Sequence, residues 1–78
     1  RMAEIVYKVH RVFSDAFQDE EGTYLLTCRV EDVEAKEMFT DDIPFETFND
    51  AYKFKRMFDS SIDAVEIRLP YDGEKYHA

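Results

Sequence analysis

A chain of 78 residues has room for one domain, and folding at this length buries only about 60% of the surface that the unfolded chain exposes. Its core therefore leans on seven Phe and five Tyr, each able to bury on the order of 150–250 Å². Eighteen acidic against ten basic side chains give a formal net charge of -8, which repels nucleic acid backbones and anionic membrane surfaces and argues against a conventional binder of either.

In chain order, the stretch from Ala3 to Ser14 carries Ile5, Tyr7, Val9 and Phe13 on one side of a period-two pattern that Arg11 interrupts. That pattern predicts a strand. Asp15 to Gly22 is acidic and ends in glycine, after which Tyr24, Leu26, Cys28 and Val30 alternate again. The two runs form a hairpin, and one buried face requires odd-numbered residues of the first to pair with even-numbered residues of the second. Between Asp32 and Ile43, the residues Val33, Ala35 and Phe39 suggest a third strand, although Glu37 interrupts that face and Met38 lies on the other.

Asp41-Asp42-Ile43-Pro44 then punctuates the chain, and Thr47 with Asp50 three positions later makes a helix start that resembles a capping box. Phe48, Ala51, Tyr52, Phe54 and Phe58 form an apolar stripe at helical spacing, with Asn49, Asp50, Lys53 and Lys55 on the wet side. Asp59-Ser60-Ser61 ends the helix, and Ala64 to Leu69 alternates as a last strand before Pro70 removes a backbone donor. The expected fold is a small single α+β domain: a three- to four-stranded, mainly antiparallel sheet with one helix packed on one face, in the order β-β-β-α-β. Residues 2–71 are expected to form that domain and 72–78 a flexible tail, with Arg1 a remnant of cloning.

Carboxylates at short spacing suit hard cations, which makes Asp15, Asp19, Glu20 and Glu21 the first metal candidates. Aligned on Gly22 as the turn glycine of a calcium loop, however, Phe17 takes the first position and Cys28 the twelfth, so both required carboxylates are missing. One Cys and two distant His do not make a zinc site. Cys28 and His10 form the one nucleophile and base pair available, yet the inferred register sends them to opposite faces of the hairpin. Glu31-Asp32 and Asp41-Asp42 are likewise split by strand alternation. No enzyme activity, metal or cofactor is expected.

Binding has better candidates. Phe17 among Asp15, Asp19, Glu20 and Glu21 has the form of an aromatic anchor ringed by charge, although it could instead fold back over the core edge. The sheet face away from the helix is expected to carry Val6, Lys8, His10, Val12, Leu25, Thr27 and Arg29, a mixed surface suited to a partner or a homodimer. The tail residues Tyr71, Asp72, Glu74 and Tyr76 offer a third contact. A lone Cys28, no membrane-length apolar run and no signal-peptide core point to a reducing cytoplasm.

In composition and element order the chain resembles small phage-encoded inhibitors of host enzymes. That resemblance implies a non-enzymatic protein that occludes a bacterial host or defence target, working in the host cytoplasm. The acidic balance favours a partner with a basic surface. Two alternatives stay open: a nucleic acid mimic whose carboxylates occupy a basic DNA- or RNA-binding groove, and a structural subunit of a homo-oligomer.

Overall fold

The structure is a computed structural model that describes residues 4–70, with elements β1 (Glu4–Val12), β2 (Phe17–Gln18), β3 (Tyr24–Asp32), β4 (Glu37–Phe45), α1 (Phe48–Asp59) and β5 (Val65–Pro70). The expected tail 72–78, the tail contacts and Arg1 lie outside the described residues. All pairings are antiparallel. β3 is the central strand. One of its edges pairs with β4 along its whole length, from Tyr24↔Phe45 to Asp32↔Glu37. The opposite edge is shared by β1, from Cys28 to Asp32, and by the short β2, at Tyr24 and Leu25. β5 closes the far side of β1, from Glu4↔Pro70 to Val9↔Val65. The α+β class and the helix packed on one sheet face stand as expected, with one short strand more than anticipated.

α1 connects β4 to β5 and covers one face of the sheet. Its start is capped by Thr47, whose hydroxyl oxygen accepts from the Asp50 N–H at 3.1 Å. Ala51 and Phe54 are its buried residues; with Ile5, Tyr7, Val9, Leu26, Cys28, Val30, Ile43 and Leu69 they make the core. Phe54 meets Phe45 at 5.6 Å between ring centroids, and Tyr7 meets Phe39 edge-on at the same separation. Phe48 and Tyr52 fall outside the buried stripe and stack on each other at its wet margin.

Two expectations need correction. The third strand does not begin at Val33: residues 33–36 are a turn in which the Asp32 carboxylate accepts from the Ala35 N–H at 3.1 Å and the Asp32 carbonyl from the Lys36 N–H at 2.8 Å. β4 instead runs through Asp41, Asp42 and Pro44, the residues expected to punctuate the chain. Acids are tolerated there because Thr27 Oγ1 donates to Asp42 at 2.8 Å and Tyr7 OH points at Asp41 from 3.5 Å. Pro44 is tolerated because β4 is an edge strand.

The second correction concerns register. The β1–β3 ladder shifts between Val9↔Val30 and Arg11↔Arg29, which leaves His10 as the extra residue of a β-bulge. Beyond the bulge, alternation is reversed. Val12, expected on the outer face, stands opposite Cys28 and packs against the core. Phe13, expected in the core row, is 55% exposed.

Candidate interaction face

The sheet face away from α1 is a set of cross-strand rows. At one end Phe17 of β2 stands opposite Leu25 of β3, which stands opposite Pro44 of β4. These three residues form an apolar row across three strands, and Phe17 is 40% exposed. Phe13 adjoins the next row: its N–H donates to the Thr27 carbonyl at 2.7 Å, and the Thr27 N–H donates to Ser14 Oγ at 3.0 Å. Thr27 continues that row to Asp42. Then come Arg11, Arg29 and Thr40, followed by Glu66, Lys8, Glu31 and Met38, and finally Val6 with Arg68. Among the described residues, no element covers this face.

Its charges are unevenly satisfied. His10 Nε2 lies 3.1 Å from Glu31 Oε1, Asp42 accepts from Thr27, and Arg68 reaches both Glu66 and Glu4. Arg11 and Arg29 stand directly opposite each other, and among the described residues neither forms an ion pair or a side-chain hydrogen bond. Arg29 is also half-buried. Like charges in that position destabilise a sheet.

The hairpin loop is more committed to its own turn than its composition suggests. Asp19 Oδ1 accepts from the N–H groups of Glu21 and Thr23 at 2.9 Å each, and Gly22 takes φ 86 to close the turn. Asp15 is drawn to the helix side, 3.6 Å from Lys55 Nζ. Glu20 and Glu21 are exposed. Asp15 and Asp19 are thus engaged by Lys55 and by the turn, and Phe17 stands on the sheet face with Leu25, Val6 and His10. Among the described residues, no group of three or more His, Cys, Asp or Glu is arranged to hold a metal ion.

Cys28 and His10 are separated by the sheet. Cys28 is fully buried among the core residues, its Sγ 3.5 Å from the Leu26 carbonyl. Burial pushes its thiol up to about 12, with Asp42 and Asp41 adding to the effect, so it is protonated at neutral pH. A groove of about 310 Å³ lies between α1 and the segment before β2, floored by Leu26 and Ala51 and walled by Phe48 and Tyr52. Its cations are already engaged: Lys55 by Asp15 and Asp59, Arg56 by the Tyr52 hydroxyl at 3.1 Å.

Phe13, Arg11, Thr40 and Pro44 escaped the sequence reading as members of the outer face. The bulge hid the first two and the misplaced third strand the others. No protein-family model matches the chain, and no curated protein or solved structure matches it either. No helix among the described residues is long and apolar enough to cross a membrane.

Proposed function

We propose that this chain is a non-catalytic protein-binding module that presents its uncovered sheet face to one partner. The observation that carries this reading is the row Phe17, Leu25 and Pro44, aligned across three strands with Phe13 beside it. Scattered apolar residues are normal on any surface, whereas a contiguous aromatic and aliphatic patch rimmed by charge is the form of an interface centre. The role that suits such a module is occlusion of another protein in a reducing cytoplasm, as in a phage-type inhibitor of a bacterial target.

The test is affinity capture from bacterial lysate with wild type, Phe17→Ala and a charge reversal of Glu20 and Glu21. Wild type and the loop variant are expected to retain the same specific protein, while Phe17→Ala loses it by on the order of tenfold or more. Capture of nothing specific, or capture indifferent to Phe17→Ala, defeats the proposal.

A further inference from the structure

The unmatched arginines say something about what lies on this face. In a chain of net charge -8, carboxylates are plentiful, yet Arg11 and Arg29 face each other across β1 and β3 with none paired to either among the described residues. The carboxylates flanking Arg29 on β3 and β4 are committed elsewhere, Glu31 to His10 and Asp42 to Thr27. Opposed residues of an antiparallel pair keep their Cβ atoms about 5 Å apart, so one incoming carboxylate can accept from both guanidinium groups. Because Arg29 is half-buried, such a contact is formed in a medium less polar than water, where charge-assisted hydrogen bonds are strongest.

We infer that the outer face binds an acidic, apolar-anchored peptide segment of the partner, with a carboxylate seated between Arg11 and Arg29 and apolar side chains on Phe13, Phe17, Leu25 and Pro44. This rests on the protein-binding reading above. It assigns the partner's contact segment a charge opposite to the one that net charge alone suggests, because at physiological salt the Debye length is about 8 Å and contact neighbours outweigh distant acids. A nucleic acid strand is a poorer occupant. Arg11, Arg29 and Lys8, the cations of this face without an ion pair among the described residues, neutralise about three phosphates, and Asp42, Glu31 and Glu66 line the path that further phosphates would follow.

The decisive variant is Arg29→Glu. It replaces a like-charge pair by an opposite one, so it is expected to melt within about 5 °C of wild type or above it. A random-peptide display library is selected on the full chain, and the enriched peptides are synthesised and measured against wild type, Arg29→Glu and Phe17→Ala. The expected peptides combine Asp or Glu with aromatic or aliphatic residues and weaken on the order of tenfold or more with either variant. Peptides that are basic or uncharged, sensitive to Phe17→Ala but indifferent to Arg29→Glu, overturn the inference while sparing the binding face. Tighter binding of oligo-deoxythymidylate, or a dimer that Arg29→Glu dissociates, overturns it in favour of nucleic acid or of a second copy. No enrichment, or peptides indifferent to Phe17→Ala, removes the binding reading itself.

Discussion

At the scale of single residues, side chains whose chemistry invites a functional role are held by the fold. Burial raises the Cys28 thiol from 9.0 to about 12. Between those values the native chain retains a proton that the unfolded chain has released, so the free energy of unfolding falls as pH rises through that window and is unaffected below it. Cys28→Ala removes the effect. The stability difference between wild type and this variant, measured by urea unfolding, should therefore shrink from about pH 8 to about pH 10. A difference that is constant or grows would mean that the thiol is not shielded. Asp19 is a second case. Its carboxylate oxygen holds two turn N–H groups, so Asp19→Ala should cost about 1 kcal/mol, or about 4–8 °C in Tm, while Asp19→Asn keeps most of the stability. Equal melting of all three proteins would show that the turn closes without it.

At the scale of elements, the bulge in β1 decides which side chains face α1. His10 is the extra residue, so deleting it leaves Val9 opposite Val30, Arg11 opposite Arg29 and Val12 opposite Cys28 in unbroken alternation. That deletion should keep the fold, with Tm within about 5 °C of wild type. Deleting Val9 instead moves His10 into the place opposite Val30, where an imidazole enters the core without a partner at a cost of several kcal/mol, roughly 3 or more. Loss of the cooperative melt in the Val9 deletion alone is the expected result, and similar melts for both would refute the bulge. Alternation made β3, β5 and the first part of β1 legible from sequence, and the Thr47 cap with its apolar stripe did the same for α1. The bulge was illegible because Arg11 reads equally as an interruption or as a register change. The third strand was legible through Phe39, but its start and its end were not: Val33 and Ala35 lie in a turn, and Asp41, Asp42 and Pro44 carry turn chemistry that contacts such as Thr27 to Asp42 and the edge position make acceptable in a strand. The interaction face depended on both errors, so its apolar row could not be assembled until the pairings were known.

At the scale of the whole molecule, a charge of -8 is confined to a body with a radius of gyration of 12.0 Å. At about 0.01 M salt the Debye length is about 30 Å, so every carboxylate repels every other, whereas at about 0.15 M it is about 8 Å and only neighbours interact. The expanded unfolded chain suffers less from this repulsion. Raising sodium chloride between those limits should therefore stabilise the fold by roughly 1 kcal/mol, read as a rise of about 4–8 °C in Tm. A falling Tm would mean that the ion pairs of Lys55 and Arg68 outweigh the net charge. The same field acts on binding, and with divided sign. An acidic segment is repelled at long range by the whole molecule and attracted at contact by Arg11 and Arg29. Added salt should thus raise its association rate by screening the repulsion and also raise its dissociation rate by weakening the contact. A partner segment of basic character gives the opposite behaviour in association, slowing as salt rises. Stopped-flow measurement of both rate constants across that salt range separates the two, since only an acidic occupant makes association faster and residence shorter together.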